Sequence, residues 1–313
     1  MRADFIDTLA ELAQSDPRIV LLTADLGFTV VETFADRYPD RYFNVGVAET
    51  NMIALATGLA SEGMVPFCYS IAAFLSMRCF EAFRDGPVLH GLPVRLIAVG
   101  GGVGYGVSGI THYAIEDIAL MRSSGRVAVY APSTSAVCAK VLQSTYSSPG
   151  PIYYRLSKDA VVDARLPADE LADVGYCRLG TGGLALVTYG AMASTALNVA
   201  ESLHNSFGMT LQCIVVTHLD NEVVRLALST LTTCSDIVTL EDHSASGGIG
   251  SMTAEVLAGE RAHPRLHRLG LGGDVWGGLG GSEGRLLARS GLGEDALCKR
   301  LRCMGSEGST PCS

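Results

Sequence analysis

The sequence predicts an α/β protein of two consecutive domains, each built on a largely parallel sheet with flanking helices. Two observations lead to this fold class. Short apolar, strand-like runs alternate with amphipathic, helix-like segments along most of the 313 residues, and the alternation pauses once near the middle. Strands separated by helices are typical of βαβ units, and a chain of this length fits about two domains of ordinary size.

The strand-like runs fall into two sets, separated by a polar segment without sustained periodicity. The first set covers 19–26, 41–48, 65–70, 93–100, 127–133 and 150–157. The second set covers 184–190, 211–219, 236–242 and 265–271. We therefore expect a first domain at 1–160, a linker at 161–177, a second domain at 178–303 and a disordered tail at 304–313.

The charge balance argues against nucleic-acid binding. The formal net charge is −9 and the sequence pI is about 5.2, whereas nucleic-acid binding needs a basic surface. The mean hydropathy of +0.29 is high, and only 18% of the residues are charged. Such a chain either has sheets buried on both faces or buries surface against another subunit. We expect no nucleic-acid partner.

No export signal or membrane segment is apparent. Acids at positions 4, 7 and 11 are incompatible with a secretory signal. A long stretch without Asp, Glu, Lys or Arg, 96–115, is too rich in Gly to form a membrane helix. Nine Cys residues without a CxxC pair or a nearby His cluster indicate reduced thiols, and no zinc site. We expect a cytoplasmic protein without membrane contacts.

The stretch GVAETNM places one carboxylate, Glu49, between a strand-like and a helix-like run. Apolar residues from Met52 to Ala60 recur at helical spacing, and Gly63 is suited to end the helix. An acid in the first turn could simply complement the helix dipole. The small, apolar approach 46–48 nevertheless lets another molecule come close to the acid, so Glu49 is a candidate functional residue.

A Gly-rich loop, GGGVGYGVSG, follows the strand-like run 93–100 and leads to His112. Gly104, Gly106 and Gly109 satisfy the GxGxxG spacing of dinucleotide-binding loops. The acid that this fingerprint requires at the end of the next strand is missing, so nicotinamide binding is disfavoured. The loop still allows a ligand to approach the backbone closely, and a His behind such a loop is well placed for catalysis.

Two further segments are candidates for a functional site. They are CYSIAAFLSMRCFEAFRD at 68–85 and LEDHSASGGIGSMTAEVLA at 240–258. The aromatic residues of the first segment could be core residues, which is our interpretation for Phe80 and Phe83. The second segment is a strand that ends in acids before a Gly turn and a helix. Sheet ends of this kind bind ligands in many folds, so this segment alone is weak evidence.

Taken in order, the four segments resemble the pyrimidine-binding and C-terminal domains of transketolase over nearly the whole chain. The resemblance is greatest to the C-terminal subunit of the split, two-chain form. It implies a thiamine-diphosphate-dependent transferase that moves a two-carbon ketol or acyl unit from a ketose donor to an aldehyde acceptor. The four matches occur in the family's order and at its spacing, which makes them far more specific together than singly.

The resemblance also implies roles for individual residues. The family's glutamate, matched by Glu49, hydrogen-bonds a ring nitrogen of the cofactor's aminopyrimidine and so promotes formation of the thiazolium ylid. Phe74 matches the aromatic residue stacked on that ring, and Ile71 replaces an aromatic residue that precedes it. His112 matches a histidine that stabilises charge on the substrate oxygen. Asp25 matches an acidic position near the thiazolium side.

The residues matched to the substrate pocket depart from the family in part. Arg2, Thr29 and Lys158 fall where transketolases have a phosphate-binding arginine, a serine and a second arginine. Lysine offers a point charge where arginine offers a bidentate fork. Gly100 falls where the family often has a phosphate-binding histidine, and Ser108 falls where an aspartate reads the acceptor's hydroxyl. These differences imply an altered sugar, sugar-phosphate or non-sugar substrate.

The Gly-Asp-Gly segment with which such enzymes hold Mg²⁺ and the diphosphate is not found in the chain. The segment GGDVW at 272–276 lacks the second Gly. We therefore expect no metal ligands here. An N-terminal transketolase subunit with the diphosphate-binding domain would complete the site for thiamine diphosphate and Mg²⁺, in a heterotetramer.

Two alternatives stay open. The chain could be the beta subunit of a 2-oxo-acid dehydrogenase decarboxylase, a family that shares the fold and the glutamate but differs in the segment GITHYAIED. It could also be a non-catalytic homologue that scaffolds or regulates a partner. A scaffold, however, has no need for Glu49, Phe74 and His112 together.

Overall fold

A computed structural model describes residues 1–277 and 280–305 of the chain, and it has the predicted α/β architecture. The strands are β1 (Ile19–Thr23), β2 (Tyr42–Asn44), β3 (Val65–Ile71), β4 (Arg95–Val99), β5 (Ala128–Tyr130), β6 (Ile152–Leu156), β7 (Tyr176–Leu179), β8 (Leu184–Tyr189), β9 (Leu211–Val216), β10 (Asp236–Ser244) and β11 (Arg265–Leu271). The helices are α1 (Arg2–Ser15), α2 (Glu32–Arg37), α3 (Glu49–Ser61), α4 (Phe80–Phe83), α5 (Asp117–Arg122), α6 (Ser135–Thr145), α7 (Ala168–Asp173), α8 (Met192–Phe207), α9 (Asn221–Ser229), α10 (Ile249–Leu257), α11 (Glu283–Arg289) and α12 (Glu294–Gly305).

The first six strands form one parallel sheet in the order β2-β1-β3-β4-β6-β5. The chain leaves β1 in one direction to form β2, and builds from β3 onward in the other direction. Such a reversal opens a crevice at the carboxyl ends of the strands. The loops that follow β1, β2, β3 and β4 all begin at this edge, so the motifs of the first half of the chain converge there.

The second sheet has the order β11-β10-β8-β9-β7, in which β7 is antiparallel to β9 and the other pairs are parallel. The predicted class, two α/β domains with largely parallel sheets, is therefore confirmed. No sequence pattern indicated α7 or β7, because six and four residues are too few to show a period. Helix α7 lies within the expected linker 161–177, so part of that segment is helical.

Strands β1 and β2 end earlier than the apolar runs predicted. β1 stops at Thr23, and β2 stops at Asn44. Asp25 has φ 56° and Gly46 has φ 72°, in the left-handed region that turns the chain out of a sheet. The apolar runs thus continue into loops that border the crevice.

A buried ion cluster around Arg155 joins the two domains. The Arg155 guanidinium lies 2.9 Å from Asp117 Oδ2 in the first domain and 2.9 Å from Asp242 Oδ1 in the second. The three side chains are 5%, 0% and 8% exposed, and Tyr153 donates its hydroxyl to Asp117 at 2.8 Å. Burial alone would lower the pKa of Arg155, but the two carboxylates raise it well above its usual value. The cluster therefore keeps its charges inside the protein.

We predict that Arg155→Met lowers the free energy of unfolding by about 3–5 kcal/mol, because it leaves two buried carboxylates without their cation. Chemical denaturation of the purified chain measures this. Arg225→Met is the matched control, since Arg225 pairs with Glu222 on the surface and should change stability by less than about 1 kcal/mol. Equal effects of the two substitutions would contradict the role given to the cluster.

No helix in the described part of the chain combines the length and the apolar character that crossing a bilayer requires. The predicted tail 304–313 overlaps α12, which includes residues 304 and 305. The other eight positions, 306–313, lie outside the described residues.

Candidate active site

Glu49 is the first residue of α3 and lies at the crevice edge, just after the loop that follows β2. Its side chain is only 2% exposed, although Val47 and Thr50 beside it are exposed. The predicted helix and its end are confirmed, because α3 stops at Ser61 and Gly63 follows with φ 86°. The structure thus holds one acid inside the protein at a positive helix terminus, next to an accessible loop.

The Glu49 carboxylate has a cationic partner, Arg78. Nη1 of Arg78 lies 2.8 Å from Oε2 of Glu49, and the Arg78 guanidinium carbon lies 4.4 Å from the centre of the Phe74 ring. Residues Phe74–Arg78 form a π-helical turn after β3. Such wide turns occur often at functional sites, and this one places Phe74 and Arg78 together beside the acid.

His112 also contacts the Phe74 ring. The centres of the two rings are 5.1 Å apart at an angle of 61°, and Nδ1 of His112 is 3.0 Å from Oγ1 of Thr111. The Gly-rich loop is held next to it by Gly102 and Ala114, which exchange backbone hydrogen bonds of 2.9 and 2.8 Å. The structure therefore brings Glu49, Phe74 and His112 into one continuous cluster, in which Arg78 joins Glu49 to Phe74.

Asp25 is linked through Asn44 to the loop that precedes Glu49. Asn44 was not predicted from the sequence. The Asn44 amide nitrogen donates to Asp25 Oδ1 at 3.1 Å, and its oxygen accepts from the backbone N–H groups of Asp25 and Gly46. Asn44 thus ties the loop after β1 to the loop before Glu49. Asp25 itself is exposed, and its left-handed backbone is the kind of strain that clusters at functional sites.

A second group of side chains surrounds Gly100. The Tyr105 ring fills the space next to Gly100, where an added Cβ would lie 2.3 Å from a ring carbon. Nζ of Lys158 is 5.3 Å from the centre of the same ring. The Arg2 guanidinium faces both Tyr105 and Tyr69, and opposes the rise in their pKa values that burial causes. Two of the predicted anion-binding residues, Arg2 and Lys158, therefore both lie next to Tyr105.

The remaining predicted residues lie apart from these contacts. Thr29 is exposed after β1 with φ 67°, and its backbone N–H donates to Glu32 at 2.8 Å. Ser108 is exposed at the end of the Gly-rich loop. Ile71 is the last residue of β3 and is buried, as a core residue would be.

A narrow cleft extends from Gly100 toward the second domain and is lined by Lys158, Arg155, Asp242 and Glu283. Glu283 is the first residue of α11. Burial raises its pKa to about 7, with a further rise from Asp242. The sequence reasoning did not single out Glu283, since nothing in its local pattern shows that α11 returns to the Gly-rich loop.

We predict that Glu283 makes folding depend on pH. Its native pKa of about 7 lies above the ordinary value of 4.5, so the folded chain binds the proton more tightly than the unfolded chain. The stability that Glu283 contributes is complete below pH 4.5 and is lost as pH rises through about 7.

Glu283→Gln should remove this dependence. Relative to the wild type, the variant should therefore gain stability between pH 4.5 and 7, measured by denaturation at several pH values. Glu222→Gln, on an exposed surface, is the control. Parallel curves for wild type and Glu283→Gln would refute the assignment.

The side chains around Glu49 fit the pyrimidine part of thiamine diphosphate, the cofactor that the resemblance implies. A buried acid beside an aromatic ring suits a flat ring that both stacks and hydrogen-bonds. Within residues 1–277 and 280–305, by contrast, no group of three His, Cys, Asp or Glu side chains is arranged to hold a metal ion.

Comparison with known proteins agrees with the fold and with the order of the motifs. The family models "Transketolase, pyrimidine binding domain" and "Transketolase, C-terminal domain" match residues 1–162 and 181–291. A protein from Methanocaldococcus jannaschii named "Putative transketolase C-terminal section" is 32% identical over 308 residues, covering 96% of this chain and 95% of that one. The 6-deoxy-6-sulfo-D-fructose transketolase subunit SqwH from Clostridium sp. (strain MSTE9) is 35% identical over 286 residues, covering 90% and 87%.

Among solved structures, a split gene transketolase, described as an inactive beta4 tetramer, superimposes with a TM-score of 0.80. The sequence identity is 30%, and the match covers 96% of each chain. Two α/β domains in this order are characteristic of a subunit of a thiamine-diphosphate-dependent enzyme. The chain belongs to the transketolase family, and it corresponds to the C-terminal section that split transketolases carry as a separate subunit.

Proposed function

We propose that this chain is the pyrimidine-binding subunit of a two-chain enzyme that transfers a two-carbon ketol unit from a ketose to an aldehyde. The observation that supports this most is the buried Glu49 carboxylate, which meets a planar cation stacked on Phe74, with His112 against the same ring. A non-catalytic scaffold would have no use for this costly arrangement. The family match favours transketolase chemistry over oxidative decarboxylation.

Each residue has a task in the proposed reaction. Thiamine diphosphate, when bound, supplies the carbon nucleophile that carries the two-carbon unit. Glu49 holds a proton at its carboxylate and shares it with a nitrogen of the pyrimidine ring. Phe74 and the aliphatic Ile71 would pack against that ring. His112 donates a hydrogen bond to the substrate oxygen as negative charge develops there. Asp25 would border the thiazolium side.

The proposal includes a partner that supplies the diphosphate-binding half and the Mg²⁺ ligands. Apolar side chains are exposed around Glu49, with Val47 at 76%, Met77 at 42% and Leu55 at 40%. Exposed apolar surface next to a functional site is typical of an interface. The solved split gene transketolase is inactive as a beta4 tetramer, which is consistent with a subunit that needs its N-terminal partner. We expect a cytoplasmic heterotetramer with two copies of each chain.

Calorimetry with thiamine diphosphate and Mg²⁺ tests the cofactor and the partner together. We expect binding only when the chain is mixed with a subunit that carries the Gly-Asp-Gly segment. Tight binding by the chain alone would refute the shared site. Absence of binding by the mixture would refute the cofactor proposal and favour a scaffold.

We predict that Glu49→Gln lowers kcat of the two-chain enzyme on the order of 10²-fold or more, because the amide cannot hold the transferable proton. The substitution keeps the shape of the side chain, so association with the partner should persist, as sedimentation can show. Glu62→Gln, an exposed position at the other end of the same helix, is the control. Normal turnover in Glu49→Gln would contradict the proposed role.

We also propose that the substrate carries an anionic end, held by Arg2 and Lys158 beside Tyr105. Thr29 would complete this anion site, and Ser108 would contact a hydroxyl group; both side chains are exposed at the crevice. Two cations next to one ring fit a phosphate or a sulfonate. The relative SqwH is named for a sugar with a sulfo group, which supports a substrate of this kind.

We predict that Lys158→Met raises KM for a ketose with a terminal phosphate or sulfonate about tenfold and leaves kcat within about twofold, because a lost charged contact weakens ground and transition state alike. Steady-state kinetics with both donors measures this. Lys140→Met is the control, since Lys140 is exposed on α6 and pairs with Asp169 of α7. An unchanged KM for both donors would exclude the anion site.

A further inference from the structure

Arg78 makes two contacts at once, and these contacts define where its guanidinium lies. The side chain is half exposed overall. Its charged end nevertheless points inward, 2.8 Å from Glu49 Oε2 through Nη1 and 4.4 Å above the Phe74 ring through Cζ. The guanidinium thus fills the space between a buried carboxylate and an aromatic face.

The same space is the one that the proposed function gives to the cofactor's ring. An aminopyrimidine is planar, stacks on aromatic faces and hydrogen-bonds a carboxylate through ring and amino nitrogens. A guanidinium is also planar, stacks on aromatic faces and bonds carboxylates. A ring that contacted both Glu49 Oε2 and this face of Phe74 would overlap the Arg78 guanidinium.

We propose that Arg78 occupies the aminopyrimidine position in the free subunit and leaves it when the cofactor binds. The inference rests on the proposed function. Arg78 neutralises Glu49 while no cofactor is present, because a buried carboxylate without a partner destabilises the fold. The cofactor's ring then replaces both of the contacts that Arg78 gives up, so the acid is paired in either state.

The local backbone allows this exchange without a larger rearrangement. The main chain on both sides of the side chain is fixed, with Cys79 Sγ donating to the Phe74 carbonyl at 3.3 Å and Thr50 Oγ1 donating to the Arg78 carbonyl at 3.5 Å. The long Arg78 side chain, in contrast, is half exposed and can rotate toward solvent. Only side-chain torsions need to change.

The first experiment measures thiamine diphosphate binding to the two-chain enzyme by calorimetry at fixed Mg²⁺. Arg78→Met removes the planar cation and keeps a long side chain. If Arg78 competes with the cofactor, the dissociation constant should fall by about three- to tenfold, because the fraction of open sites rises. Arg84→Met is the matched control, since Arg84 is an exposed arginine in the following π-helical turn and pairs with Asp85.

An unchanged or larger dissociation constant in Arg78→Met would overturn the proposal, because it would mean that Arg78 stays in place and helps to hold the cofactor. Failure of the proposed function looks different. In that case the wild-type mixture itself would not bind thiamine diphosphate, and Arg78 would have no ring to replace.

The second experiment uses the chain alone and needs no cofactor. Thermal unfolding is measured for Arg78→Met, Glu49→Gln and the double variant. Arg78→Met should lower Tm in the wild-type background and lower it much less beside Glu49→Gln, where no charge remains to neutralise. Equal losses in both backgrounds would show that Arg78 does not neutralise Glu49, and would overturn the proposal even if the two-chain enzyme binds its cofactor.

Discussion

The buried charge of Arg155 is the constraint on which the rest of the structure depends. Its two carboxylate partners come from different domains, so neither domain can shift without exposing or separating charges. The Gly-rich loop passes directly against this cluster, because a Cβ added at Gly101 would lie 2.4 Å from the Arg155 guanidinium carbon. From the other side, Gly281 N donates to Gly106 O at 3.0 Å. The loop that carries His112 is therefore held by both domains.

The strand order of the first sheet divides the crevice into two regions. The acid and the aromatic ring follow β2 and β3, while Tyr105 and Lys158 follow β4 and β6. Neighbouring strands lie about 4.8 Å apart, so the loops after β3 and β6 are separated by roughly 10 Å. Under the proposed function, that separation suits a sugar of several carbons, with its reacting end near Phe74 and its anionic end near Lys158.

The sequence was sufficient for the fold class, because alternating strands and helices imply parallel sheets. The shared site of Glu49, Phe74 and His112 was an implication of the family resemblance and not of the strand pattern. The sequence was not sufficient to place Arg78, Asn44 and Tyr105 at the candidate site. The π-helical turn adds a residue to one helical turn, which no periodic pattern reveals. The positions of Asn44 and Tyr105 depend on how two loops pack, and Glu283 reaches the cleft only through the contact between the domains.

The contact between Gly100 and Tyr105 has a consequence for how this site can evolve. An aromatic ring at 105 occupies the volume that any side chain at 100 would need, and Gly100 also has φ 74°, which favours glycine. A side chain added at 100 is therefore harmful unless the residue at 105 becomes smaller. Relatives should therefore carry either glycine with an aromatic residue or a larger side chain with a small residue. The two positions would then be inherited as a covarying pair.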